Sequence, residues 1–198
     1  MSEPIYLARH GQTDWNAEFR LQGQSETDLN ATGRQQAAVN GRQLAVLLGA
    51  DAARFAYVAS PMKRTRETME IIRSALGLVP GDYSVDPRLK ELSYGDWETY
   101  TFAELEKVTP GLSTKRDGDK WGFLPPGEGA ESYAMLAARV KPWAQDARGP
   151  SVVVTHGGVI RVLFNLLNGL SPQDAAAMDI PQDRIARIAD GRIAWLDL

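Results

Sequence analysis

The chain contains no cysteine in 198 residues. Disulfides, thiolate nucleophiles and cysteine metal sites are therefore excluded, and a small disulfide-stapled secreted scaffold is argued against. Histidine is nearly as scarce. The two present, His10 and His156, are too few for an obvious transition-metal site. No apolar run approaches the roughly 20 residues that a membrane-crossing helix needs. The start, Met1-Ser2-Glu3-Pro4, lacks the basic lead into an apolar stretch that marks a signal peptide. The expectation is a cytoplasmic protein with no membrane partner. Positive charge is not in excess either: the net charge is −3 and the pI about 5.5. That argues against a nucleic-acid partner, which calls for a basic face, but a local arginine cluster can still hold a small anion. The remainder, 43% hydrophobic and 24% charged, suits a single domain over 1–198 with a substantial core.

A glycine follows each histidine, and each pair follows a short apolar run. Ile5-Tyr6-Leu7-Ala8 leads into Arg9-His10-Gly11, and Ser151-Val152-Val153-Val154 leads into Thr155-His156-Gly157-Gly158. Both runs read as buried strands that end in tight turns. A third strand, Phe55–Ala59, ends in Ser60-Pro61, with Pro61 suited to the first turn of the next helix. Helical stripes follow over Ala37–Leu48, Thr65–Leu76, Glu131–Ala147 (through Pro142) and 157–168. Asn30 or Thr32 is positioned to cap the first of these helices. Arg184–Ala189 and Arg192–Leu196 alternate around Asp190-Gly191, a hairpin signal. Residues 11–30 form a long polar loop. Residues 93–127 are irregular, with one short helix near 101–108 and a charged patch at 115–120 that reads as wet surface. The prediction is an α/β fold: a doubly wound, mostly parallel central sheet with helices on both faces and a small lid-like insertion around 93–127.

In such sheets ligands bind beyond the carboxyl ends of the strands. If the three strands are neighbours, Arg9, His10, Arg64 and His156 converge there. Guanidinium forks suit phosphate oxygens, and the amides at Gly11 and Gly157-Gly158 are further candidate donors. A neutral imidazole beside a phosphoryl group held in this way can attack phosphorus. Its other nitrogen must donate a proton, most simply to a backbone carbonyl, and a carboxylic acid must protonate the leaving alcohol.

Here the chain resembles the histidine phosphatase superfamily, in its phosphoglycerate-mutase-like branch 1. Leu7-Ala8-Arg9-His10-Gly11-Gln12-Thr13-Asp14-Trp15-Asn16 is similar to the first motif of that family. Asp28–Ala37, Ala59–Thr68, Arg88–Glu98 and Thr155–Arg161 resemble the later motifs, in order. The resemblance implies that His10 is the phosphorylated nucleophile, that Arg9, Arg64 and His156 hold the phosphoryl group, and that Glu91 is the general acid. It further implies a phosphate contact at Asn16, substrate contacts at Gln22 and Gly23 beside the Gly157 amide already noted, hydrolysis of a small phosphorylated metabolite with no metal or other cofactor, and, as in many relatives, a homodimer. Two residues depart from the pattern: Thr155 replaces a commoner serine, and Thr99 stands where glycine often follows Trp-Glu.

Blander readings exist for each residue taken singly. A lone histidine can be a satisfied core residue. Arg64, between Lys63 and Arg66, could lie on a solvated helix face, and Glu91 could pair at the surface with Lys90 or Arg88. Asn16 and Gln22 could simply shape their loop. Two functional alternatives also stand beside the phosphatase: a bisphosphate-primed phosphoglycerate-type mutase, and a non-catalytic phosphate-binding module. The Leu92 that follows Glu91 and the short chain resemble the phosphatase side.

Overall fold

The computed structural model describes residues 3–197. Its centre is a six-stranded sheet made of β1 (Ile5–Arg9), β2 (Ala56–Ala59), β3 (Ser84–Val85), β4 (Ser151–Thr155), β5 (Ile185–Ala189) and β6 (Arg192–Trp195), in the order β3-β2-β4-β1-β5-β6. β1 and β2 both pair in parallel with β4, and β3 pairs in parallel with β2, whereas β5 runs antiparallel to β1 and β6 antiparallel to β5. The sheet is therefore mixed, as the terminal hairpin predicts. Asp190 and Gly191, both at positive φ, make its turn.

Burial explains the apolar runs. All five residues of β4 are buried. Val153 faces one core with Leu7, Leu136 and Val140, while Val152 and Val154 face another with Leu44, Met69 and Ile72. A strand covered on both faces has no place for alternating polar residues. Each such fully buried aliphatic side chain contributes roughly 1.5–3 kcal/mol. The first core is roofed by α6 (Tyr133–Asp146) and α7 (Gly157–Asn168), the second by α2 (Ala31–Leu48) and α3 (Lys63–Ala75). Asn30 caps α2 by accepting from Gly33 N–H. At Gly41 the helices α2 and α3 approach so closely that a Cβ would stand 2.6 Å from the Ala75 methyl.

Local departures from the sequence reading have identifiable causes. α3 starts at Lys63 and not at Pro61: the Thr65 hydroxyl reaches back to the carbonyls of Ser60 and Met62 and holds that stretch as a turn. A short helix, α1 (Asp14–Ala17), interrupts the polar loop, closed by a reciprocal capping box between Thr13 and Asn16.

The insertion at 93–127 carries α4 (Phe102–Val108) and a helix not expected from sequence, α5 (Leu112–Gly118), over a small core of Leu21, Trp97 and Leu112. The patch at 115–120 is not simply wet surface. The Arg116 guanidinium lies 4.2 Å from the Phe102 ring centre. Burial, together with Arg116 and Arg161, holds the Lys120 ammonium down at about 8. The insertion is tied to the loop before it by Leu21 N–H to Tyr100 O, Thr99 N–H to Leu21 O, and an Arg20–Glu104 ion pair. Among the described residues no helix is long and apolar enough to cross a membrane. The remaining helix, α8 (Pro172–Ala177), packs against α7.

Candidate active site

The register of the sheet brings the chemistry together. Arg9 pairs with Thr155, and Ala59 with Val154, so β1, β4 and β2 end side by side. The last ladder bonds are His10 N–H to Thr155 O (3.0 Å) and Ser60 N–H to Val154 O (2.9 Å). The two imidazoles, 146 positions apart in sequence, then lie 5.1 Å apart between centroids, with their planes at 62°. A cleft of about 120 Å³ opens over this edge, lined by Arg9, His10, Asn16, Gln22, Gly23, Arg64, Glu91 and Gly157 among others. A larger depression, about 400 Å³, lies at the opposite edge around Ile5, Gly149 and the hairpin turn, away from both histidines.

His10 is buried, and its Nδ1 is 2.8 Å from Gly11 O. A carbonyl can only accept, so Nδ1 carries the proton and Nε2 holds a lone pair. Burial, then Arg64 and Arg9, keep this ring well below its ordinary value of 6.5, against a smaller upward pull from the Gly11 bond. His156 is held low by burial first, then by Arg64, His10 and Arg9. Its Nε2 lies 2.8 Å from Ser60 Oγ, while its Nδ1 is buried without a partner among the described residues.

The arginines are not free forks. Arg64, fully buried, donates from Nη1 to Ser25 O (2.8 Å) and from Nη2 to Gly23 O (2.7 Å). Arg9 donates from Nη1 to Ile180 O (2.7 Å). In both, Nε is buried with no partner among the described residues. Burial lowers Arg64, and lowers Arg9 to about 10, so both remain cationic at neutral pH. The solvated-face reading of Arg64 is thus overturned: each guanidinium uses part of its five-donor set to fix the surrounding backbone and keeps Nε–H and further Nη–H donors unused. Three unpaired polar atoms, Arg9 Nε, Arg64 Nε and His156 Nδ1, remain around His10. Unpaired buried donors in a native fold call for a ligand or a functional account.

The backbone amides also differ from expectation. Gly11 N–H goes to Thr68 Oγ1 (3.1 Å), and Gly158 N–H to the Glu91 carboxylate (3.1 and 3.2 Å). Glu91 also accepts from its neighbour Leu92 N–H at 2.9 Å and is no surface partner of Lys90 or Arg88. A Cβ on Gly158 would overlap that carboxylate, which explains the glycine there, whereas one on Gly157 would stand 3.3 Å from the flexible end of Arg161 and in ordinary contact with Arg9 Nε. Gly23, at φ +51, offers its carbonyl to Arg64. Gln22 is buried and accepts from Thr27 Oγ1 (2.8 Å). Asn16 caps α1 and lines the cleft. Thr155 keeps the role open to a serine, donating its hydroxyl to Leu89 O.

Sequence reasoning assigned no role to Ser60, Arg20, Arg161 or Gln182. Arg161 sits four positions after Gly157 on α7, a same-face spacing that could have revealed it. Arg20 and Gln182 carry no local signal, because only the fold brings Arg20 to the cleft and Gln182 against His10 O and Asn16 Oδ1.

Comparison with known proteins agrees with this geometry. A model of the histidine phosphatase superfamily (branch 1) matches residues 5–191. The chain is 32% identical to a probable phosphoglycerate mutase of Escherichia fergusonii, over 97% of this chain and 87% of that one. It is 33% identical, with the same coverage, to a similarly named protein of Erwinia tasmaniensis. Among solved structures, the mycobacterial glucosyl-3-phosphoglycerate phosphatase in complex with VO3 superposes with a TM-score of 0.80 at 29% identity, covering 98% of this chain and 97% of that one. The protein therefore belongs to branch 1 of the histidine phosphatase superfamily and is an enzyme of the phosphatase type.

Proposed function

We propose that the protein hydrolyses small phosphate monoesters, without a metal, through a phosphohistidine on His10. The observation that carries this reading is the set of three unpaired buried atoms, Arg9 Nε, Arg64 Nε and His156 Nδ1, around an imidazole whose Nδ1 is tied to Gly11 O. His10 Nε2 attacks phosphorus as the ester P–O bond breaks. The electron pair leaves on the alcohol oxygen, which takes a proton from the Glu91 carboxyl. Glu91, now a carboxylate, removes a proton from water as that water attacks the phosphohistidine. The P–N bond then breaks and inorganic phosphate departs. Arg9, Arg64 and His156 offset the charge on the equatorial oxygens. Asn16, Gln22, Gly23 and Gly157 line the same cleft as substrate contacts.

Low ring pKa values serve this scheme, since a protonated His10 could not attack. Ser60 completes it: if its hydroxyl donates to His156 Nε2, the imidazole proton sits on Nδ1 and points to the phosphoryl group. The mutase reading draws on the names of the curated relatives. Against it stand Leu92 directly after the acid and the short insertion. A panel of phosphorylated metabolites, followed by phosphate release, tests the proposal. Turnover that survives His10→Ala overturns the mechanism, and brisk phosphoglycerate isomerisation in place of hydrolysis selects the mutase.

A further inference from the structure

We propose that Gln182 is a positioning residue of this site: its side-chain amide, held against the His10 carbonyl, orients the Asn16 side chain so that its NH2 group faces the bound phosphoryl group. The inference rests on the phosphatase reading above and adds to it a residue from the stretch between α8 and β5.

The argument is one of donors and acceptors. Gln182 Nε2 lies 3.1 Å from His10 O. That carbonyl accepts only, so the NH2 end of the Gln182 amide must face it. The same nitrogen lies 3.1 Å from Asn16 Oδ1. Thr13 N–H, a donor only, approaches Oδ1 at 3.2 Å, and the Thr13 hydroxyl at 3.3 Å. Three donors converge on Oδ1, which leaves Nδ2 as the end that Asn16 presents to the cleft it lines. Reversal of this amide would set a carbonyl oxygen against an anion.

Gln182 is itself anchored from below. Its carbonyl accepts from Nδ2 of the fully buried Asn40 on α2 at 3.0 Å. A chain of contacts thus runs from the core helix to the Gln182 backbone, and through its side chain to the nucleophile's own carbonyl and to Asn16. The contacts to His10 O and to Asn16 Oδ1 come from one nitrogen, so the backbone carbonyl fixes which end of the Gln182 amide meets Asn16.

Gln182→Met keeps the length of the side chain and removes both donors. It is expected to lower kcat about five- to tenfold while KM moves less than about twofold, a smaller effect than the loss of a direct transition-state donor. In an Asn16→Ala background the same substitution is expected to change kcat by less than about twofold, because its main target is gone. Gln182→Glu provides a readout that a purely structural role would not move. As a carboxylate it cannot donate to Asn16 Oδ1, but as a carboxylic acid it can. The ratio of its activity to wild type should therefore rise as pH falls toward about 4–5, while the ratio for Gln182→Met stays flat.

Wild-type kcat in Gln182→Met, or full additivity with Asn16→Ala, overturns the proposal. If Gln182→Met does not fold, the Gln182→Glu ratio decides, and a flat ratio overturns it. Any of these failures with phosphohistidine still formed on His10 would leave the phosphatase reading standing, whereas loss of His10 dependence would remove both.

Discussion

His10 and His156 stand ring to ring, 5.1 Å between centroids, and the cations that surround them keep both rings unprotonated. Arg64 and Arg9 depress both imidazoles, on top of the burial that does most of the work. The site therefore combines a cationic frame with neutral imidazoles, as the proposed nucleophile requires. Protonation of His156 would add a further repelling charge beside His10, and protonation of His10 itself would remove the Nε2 lone pair on which the proposed attack depends.

This pairing has a consequence for pH. Both folded-state values lie below 6.5, so the unfolded chain takes up protons first as the medium is acidified. Stability is unaffected by these groups above about 6.5 and falls as pH drops below it, by up to about 1.4 kcal/mol per pH unit for each ring. Urea unfolding of wild type and His156→Asn between pH 7.5 and 5 checks this: the variant should lose less stability over the interval. An equal loss in both proteins would show that His156 is not held neutral.

Ser60 offers a test of the tautomer. Ser60→Ala removes the contact at His156 Nε2, freeing the ring proton to sit on either nitrogen. The expected outcome is a drop in kcat of about tenfold or more, as for a weakened transition-state donor, with KM little changed. Ser60→Thr, which retains the hydroxyl, should recover part of the loss. Steady-state kinetics on one model ester suffices, and equal activity of the alanine and threonine variants would refute the assignment.

Thr99 occupies φ +78 in the turn that links the insertion to the loop before it. A β-branched residue is strained in that region. Thr99→Gly should raise stability by about 1 kcal/mol, the relief of left-handed strain outweighing the extra freedom of glycine in the unfolded chain. Thermal unfolding should show an increase of about 2–4 °C for a chain of this size. A lower melting temperature would mean that the hydroxyl or methyl contributes more than the strain costs.

Lys120 is held at about 8 by burial and by its neighbours Arg116 and Arg161. Its folded value lies below its unfolded one, so the charged form costs stability below pH 8, and the cost is relieved as pH rises from 8 toward 10.5. Lys120 remains partly exposed, so solvent screening reduces the cost to about 1 kcal/mol. Lys120→Met should melt a few degrees above wild type at pH 7, with the gap closing by pH 10. A gap independent of pH would assign the effect to packing alone.

The strands and principal helices were legible because burial writes itself into sequence as period and composition. Val152-Val153-Val154 could only be a strand covered on both faces, and the stripes of α2, α3 and α7 matched their cores. α5 was not legible. Its Lys115-Arg116-Asp117 run looks solvated because the apolar cover for Arg116, the Phe102 ring, lies on another helix. The Gly158 amide was misassigned for a related reason: which acceptor a glycine N–H meets depends on Glu91, 67 positions away.

The sequence by itself determined which residues are candidates for catalysis, because the proposed chemistry demands particular side chains and two histidines, two arginines and one acid lie in recognisable local settings. Tertiary structure alone decided how their donors are shared. Arg9 and Arg64 each give part of the guanidinium to backbone carbonyls, Gly158 N–H turns to Glu91, and Gln182 enters from the opposite end of the chain. The physical reason is that a hydrogen bond is satisfied by whatever acceptor the packing brings within about 3 Å, and no local pattern of residues encodes a partner so distant in sequence.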